Sequence, residues 1–235
     1  MHAPQRARPT LYGRDGRRKY LTQAERARFI AAASAHPRPE VATFCLLLAY
    51  TGCRISEALA VRGTDIEQAE RFVALFSLKK RNDILVREIP LPGPYVAQLV
   101  DTHGEHIQSA RRLWRWSRCR AWRIVKTVML EADIGCGAHQ TAKGLRHSFG
   151  ITAIQRGVPL NMVQRWLGHA SIATTAIYTE ALGVEERELA SRLWRDAAPG
   201  TMSSDHFGSV EGWSVSAAFV SWKSPPDHPN HPVRR

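Results

Sequence analysis

The chain has 235 residues, 33 Lys and Arg against 21 Asp and Glu, a formal net charge of +12, and 44% hydrophobic residues. This composition suits a chain able to bury one good core, and it contains no apolar run near the roughly 18–20 residues of a membrane helix. The basic N-terminus lacks the apolar stretch of a secretory signal, so a cytoplasmic location away from membranes is expected, and the positive charge favours a polyanionic partner.

Residues 1–20 hold six Lys or Arg and one Asp among Pro and Gly, and read as a flexible basic arm. Thr22 and Glu25 then form a Thr-x-x-Glu capping box ahead of an amphipathic helix running through Ala33. Pro39 opens a second helix over 40–50, apolar nearly all round and therefore central, and Gly52 breaks it. A third helix is predicted over 54–61, with Ile55, Ala58, Leu59 and Val61 on its inner side. Residues 72–78 and 84–91 are rich in β-formers and flank the polar turn 79–83, which predicts a β-hairpin. Pro90, Pro92 and Pro94 end it, and Pro94 starts a helix through Val100. Helices follow at 119–133, 143–156, 160–167 and 171–181, with a last amphipathic one at 183–195. Residues 197–235, with clustered Gly, Ser, Pro and His, read as a disordered tail. The fold class is α+β, mainly α: one helical domain over 21–196 carrying a small β-hairpin.

Cys45, Cys53, Cys119 and Cys136 form no CxxC pair and no metal-ligand spacing, so neither a disulfide framework nor a zinc site is expected. From His106 to Leu130 there are seven Lys or Arg and no acid, with Trp114, Trp116 and Trp122 interleaved. Such cations neutralise phosphates and indoles pack on sugars or bases. Arg111, Arg112, Arg115, Arg118 and Arg120 are therefore read as contacts to a DNA backbone, whereas Trp122 is expected on the core side of its helix.

Three segments stand apart: Thr51-Gly-Cys-Arg54-Ile-Ser-Glu57, Lys143-Gly-Leu-Arg146-His147, and Leu167-Gly-His169 followed nine residues later by Tyr178. In order, spacing and flanking residues they resemble the tyrosine recombinases, the phage integrase family, over residues 20–196. The resemblance implies a site-specific DNA recombinase that cuts and rejoins strands through a 3′-phosphotyrosine intermediate, without metal or ATP. It implies double-stranded DNA as partner and a homotetramer on that DNA. On this reading Tyr178 is the nucleophile, and Arg54 and Arg146 grip the non-bridging phosphate oxygens, for which a permanently charged fork is suited. Glu57 orients the cations. His169 hydrogen-bonds the phosphate or takes a proton from Tyr178.

Lys143 departs from the pattern, since many family members carry His there; it keeps the charge but not a group that titrates near neutrality. His147, next to Arg146, is expected to pack structurally, with a direct role at the site as the alternative. The family places a general-acid lysine in the hairpin; Lys79 and Lys80 point to opposite faces, and Lys80 is preferred. Arg87 and Ile89-Pro90-Leu91 resemble the family's closing strand. The helix at 183–195 packs on its own domain or docks on a neighbouring protomer. The helical DNA-clamping domain that usually precedes the catalytic domain has no counterpart here, so the chain resembles a minimal member or the remnant of a longer integrase. Two rival readings are an inactive remnant that only binds DNA, and a type IB topoisomerase-like enzyme.

Overall fold

Thr22 begins the first helix as its spacing predicts. In the computed structural model, which describes residues 10–78 and 84–179, its hydroxyl accepts from the Glu25 N–H at 3.2 Å and its own N–H donates to the Glu25 carboxylate at 2.8 Å. The helix, α1, spans Gln23–Ser34 and buries Phe29 and Ala33. Next comes α2, Pro39–Thr51, buried over most of its length, with Gly52 closing it in the left-handed conformation at φ 61°. A β-carbon at Gly52 would lie 2.7 Å from the Phe149 ring, so this position is restricted to glycine by both space and backbone. All described residues belong to one compact unit.

The predicted helix at 54–61 is shorter: α3 spans Ile55–Ala58. The chain beyond it pairs with a distant segment instead, since Leu113 N–H donates to Val61 O at 3.0 Å and Gly63 N–H to Arg111 O at 3.2 Å. Gly63 makes that approach feasible, because a β-carbon there would sit 2.0 Å from the His106 carbonyl. The hairpin forms as predicted, from β2 (Phe72–Leu78) and β3 (Ile84–Pro90), with a short β1 (Ile66–Glu67) added to the edge of β2 to make a three-stranded antiparallel sheet. The register sets Val73 opposite Ile89 and Leu75 opposite Arg87. These four residues form the buried face, on which Arg87 is the one charged member.

Helices α4 (Gly93–His103), α5 (Arg118–Glu131), α6 (Ala142–Gln155) and α7 (Leu160–Leu167) follow. The helix expected at 171–181 is, among the described residues, one turn, α8, Ala173–Ala176. The larger core gathers α1, α2, the sheet, α4 and α5 around Phe44, Leu47, Leu75, Leu99 and Val125. A second cluster packs α6 and α7 with Leu11, Ile177 and Tyr178.

Residues 10–20 are not a free arm. Leu11 is wholly buried in the second cluster, Gly13 N–H donates to Arg17 O at 2.7 Å, and Lys19 N–H to Leu11 O at 2.8 Å, closing a tight turn. The charge that suggested a solvated tail is used locally: Arg18 makes two 2.6 Å bonds to the Glu25 carboxylate. Trp122 also departs from expectation. It is 48% exposed, because α5 turns Ala121, Ile124, Val125, Val128 and Met129 inward and leaves position 122 on the opposite side. Lys79, Lys80, the helix expected at 183–195 and the tail 197–235 lie outside the described residues. No helix among the described residues is long and apolar enough to cross a membrane.

Candidate active site

Arg146 sits on the first turns of α6, where Thr141 caps the helix by accepting from Gly144 N–H at 3.0 Å. Its guanidinium is buried and donates to two carbonyls, Gly52 at 2.8 Å and Leu167 at 2.6 Å. Both carbonyls lie where a helix ends beside a left-handed glycine, Gly52 after α2 and Gly168 (φ 66°) after α7. Helix ends leave backbone carbonyls unpaired, and a buried cation between two of them satisfies both. Arg146 therefore fixes the turn carrying Arg54 relative to the turn carrying His169.

Arg54 precedes α3 and is half exposed. Glu57, almost wholly buried, holds it at 2.8 Å through its backbone N–H and 2.7 Å through its guanidinium. The same carboxylate accepts from Ser77 Oγ at 2.6 Å and pairs with Arg87 at 2.9 Å. Burial alone raises a carboxyl pKa. Here the Arg54 N–H, the Ser77 hydroxyl and the Arg87 and Arg54 charges overcome it and bring Glu57 down to about 2. Arg87, 1% exposed, also donates to Trp166 O at 2.7 Å. One buried network thus links β2 and β3 to α3 and to the end of α7.

This carboxylate makes a stability prediction. A group with a depressed folded pKa contributes stability above its unfolded pKa, near 4.5, and loses it as pH falls toward about 2. The shift corresponds to about 3 kcal/mol. Thermal melts of wild type and Glu57→Gln should differ at pH 7, where Gln leaves Arg87 buried without its counter-ion, and the difference should shrink between pH 4.5 and 2. A pH-independent difference contradicts the network.

His169 follows Gly168. Its Nδ1 lies 2.9 Å from Thr175 Oγ1, and its ring stacks on Tyr178 at 6.2 Å with 25° between planes. Tyr178 is 1% exposed. Its ring lies against Gly150 of α6, where a β-carbon would come within 2.6 Å of it, so α6 presents a notch shaped for this ring. The phenol meets His147 Nδ1 at 3.2 Å. Burial, followed by the Arg146 and Arg54 charges, pushes His169 down to about 3; burial, followed by Lys143, Arg146 and Lys19, pushes His147 down to about 4. Both imidazoles are neutral at pH 7. Burial pushes Tyr178 up to about 12 against the opposing pull of Arg146 and Arg54.

Arg54, Arg146, His169 and Tyr178 all line one cleft of about 870 Å³, together with Lys143 and His147. The turn at 10–19 forms one wall and Arg118 with Trp122 another. Glu57 sits behind the wall, on Arg54. Lys80 lies outside the described residues. The five arginines read as DNA-backbone contacts are all exposed, but only Arg118 of them reaches the cleft lining; Arg120 lies 5.7 Å over the Trp116 ring and Arg112 pairs by backbone with Arg62. Among the described residues no group of His, Cys, Asp or Glu is placed to hold a metal ion.

Three residues of this site carry more than the sequence reading gave them. Arg87 occupies an inward position of an alternating strand, and a charge on the buried phase implies a buried partner. His147, expected chiefly to pack, touches the phenol. Gly150, four residues after Arg146, marks the close approach of Tyr178.

Residues 19–183 match the family described as Phage integrase family. A tyrosine recombinase, XerA of Pyrococcus furiosus, is 31% identical over 156 residues, covering 63% of this chain and 52% of the relative. The chain spans about half the length of the curated relatives it matches. Among solved structures, the XerA recombinase superposes with a TM-score of 0.59 at 26% identity, covering 77% of this chain and 65% of the other. The XerH site-specific recombinase bound to its difH substrate, in a pre-cleavage complex, gives 0.61 at 19% identity, covering 78% and 60%. The mainly helical fold with a small antiparallel sheet is shared with both.

Proposed function

The chain belongs to the phage integrase family, and on that premise we propose that it cuts and rejoins double-stranded DNA at specific sites through a phosphotyrosine intermediate. The observation that carries this is the convergence of Arg54, Arg146, His169 and Tyr178, from separate segments, on one cleft. A phosphodiester entering it meets two guanidiniums that neutralise its non-bridging oxygens, and such preorganised donors gain strength where water is excluded. The Tyr178 oxygen attacks phosphorus, the bond to the 5′-oxygen breaks, and the strand stays attached to the protein. Because the phosphoester is kept, a 5′-hydroxyl of the same or another strand reverses the step without ATP. The acid that protonates the leaving oxygen is assigned to the hairpin lysine, Lys80, and Lys143 adds positive charge at the cleft. The reading calls for no metal or other cofactor. Arg118 and the exposed arginines 111, 112, 115 and 120 are assigned to the DNA backbone, and a homotetramer on DNA is the assembly in which two duplexes exchange strands.

The test is covalent capture. Duplexes selected by the protein from a random-sequence pool are resynthesised with a nick near the cleaved bond, so that the cut end diffuses away. The expected result is a denaturation-resistant protein–DNA adduct on the peptide containing Tyr178. Selected duplexes that form no adduct favour a protein that binds without cutting, and relaxation of supercoils without sequence preference favours a topoisomerase.

The notch at Gly150 gives a second expected result. Gly150→Ala puts a methyl where the Tyr178 ring lies, so the ring has to shift. A displacement of about 1 Å costs about 10²-fold in rate, and overpacking costs about 1–3 kcal/mol of stability. Adduct kinetics and a thermal melt on the same variant check both; unchanged kinetics contradict the assignment of Tyr178 to this seat.

A further inference from the structure

Before the Tyr178 oxygen can form a bond to phosphorus it has to give up a proton; the sequence offered His169 for this, but no hydrogen bond joins His169 to the hydroxyl among the described residues. Lys143 makes no hydrogen bond to the hydroxyl among the described residues. His169 engages Thr175 through Nδ1, and its ring lies nearly parallel to the phenol ring with centroids 6.2 Å apart. The imidazole that meets the hydroxyl itself is that of His147, at 3.2 Å through Nδ1.

We propose that His147 is a catalytic residue, the proton acceptor for Tyr178 during strand cleavage and the donor that returns the proton on rejoining; this rests on the recombinase reading. In the forward step the Tyr178 O–H bond breaks and an Nδ1–H bond forms. The phenolic oxygen bonds phosphorus and the bond to the 5′-oxygen breaks, with the leaving oxygen protonated by the separate acid. Acceptance uses the tautomer protonated at Nε2, a nitrogen with no hydrogen-bond partner among the described residues.

The placement suits the task. His147 directly follows Arg146 on α6, so consecutive helix positions grip the phosphate and receive the proton. Its ring lies 5.9 Å from that of Tyr178, and it lines the same cleft. Lys143 and Arg146 face it from its own helix, Lys19 from the turn at 10–20, and Tyr178 and His169 from the chain after α7. Burial and these cations hold the imidazole neutral down to about pH 4, while the phenol keeps its proton up to about 12. With those acidities the proton stays on Tyr178 while the cleft is empty. As the oxygen bonds phosphorus its acidity rises past that of the imidazolium, and only then does transfer run downhill. General-base assistance of this kind contributes about 10²–10⁴-fold. The nucleophile is thereby kept neutral until a phosphate is seated.

The experiment compares wild type with His147→Ala and His147→Asn on the selected nicked duplexes, made with either the natural linkage or a bridging 5′-sulfur at the cleaved bond. Sulfur leaves as a thiolate and needs no acid. We expect both variants to form adduct about 10²–10⁴-fold more slowly on both linkages. His147→Ala should regain rate with imidazole in the buffer and rise about tenfold per pH unit where wild type is flat, as expected when hydroxide replaces a positioned base. Melting temperature and duplex affinity report folding. Should both variants unfold, the wild-type protein still decides: the Nδ1 nitrogen resonance of His147 must show an unprotonated, accepting nitrogen, and a proton fixed on Nδ1 overturns the assignment. Full rate in a folded variant overturns it, as does a loss that the sulfur linkage repairs, or one unaffected by imidazole and pH. Absence of adduct from wild type on either linkage instead removes the recombinase reading beneath it.

Discussion

Tyr178→Phe is expected to abolish the covalent protein–DNA adduct, a loss of about 10⁶-fold, the scale on which removal of a nucleophile acts. The change deletes one oxygen and leaves the ring in the Gly150 notch, against His169. The lost contact to His147, at 3.2 Å, contributes about 1 kcal/mol at most to stability. The variant should therefore fold and still retain its selected duplex in a mobility-shift assay, while denaturing gels show no adduct. An adduct that survives the substitution places the nucleophile elsewhere and overturns the proposed reaction.

Arg146→Lys is expected to fail in two ways at once. A lysine has one nitrogen, and it cannot donate to Gly52 O and Leu167 O while also meeting a phosphate oxygen as the guanidinium fork can. Removing one preorganised donor costs about 10²–10³ in rate, and here the remaining donors are also displaced, so adduct formation should fall by at least that factor. The two carbonyl bonds involve a charged donor, and losing their geometry costs about 3 kcal/mol in all. For a chain of this size that lowers the melting temperature by roughly 6–12 °C. Arg54→Lys is the useful comparison: Arg54 is half exposed and spans no helix ends, so its loss should appear in the kinetics with a much smaller shift in melting. Equal destabilisation by both substitutions contradicts the bridging role of Arg146.

Local signals carried much of the architecture. The Thr22–Glu25 box, the apolar run of α2 and the two β-rich stretches each depend on neighbours within a few residues, and each appears where the sequence places it. The candidate site was legible through residue types at fixed spacings, and the structure brings Arg54, Lys143, Arg146, His169 and Tyr178 to one cleft. What the sequence did not display depends on partners far along the chain. Arg87 is accounted for by Glu57 and by the Trp166 carbonyl, neither of which its strand reveals. The third helix stops early because residues near 110 claim its backbone. Charge density suggested a loose N-terminal arm, yet Leu11 and the Arg18–Glu25 pair fasten residues 10–20 to the body. Trp122 was misplaced because an indole in a helix is more often inward, whereas small and aliphatic neighbours already fill the inner side of α5.

The notch in α6 bears on how several copies could share the work. Its floor is Gly150 and its occupant is the tyrosine of the same chain, with the gripping arginine and the proximal imidazole contributed by that same helix. Under the proposed reaction, the nucleophile is thus seated by a helix of its own chain rather than lent by a neighbour. In the proposed assembly of four, the order of strand opening would then rest on which subunits keep that ring in its notch.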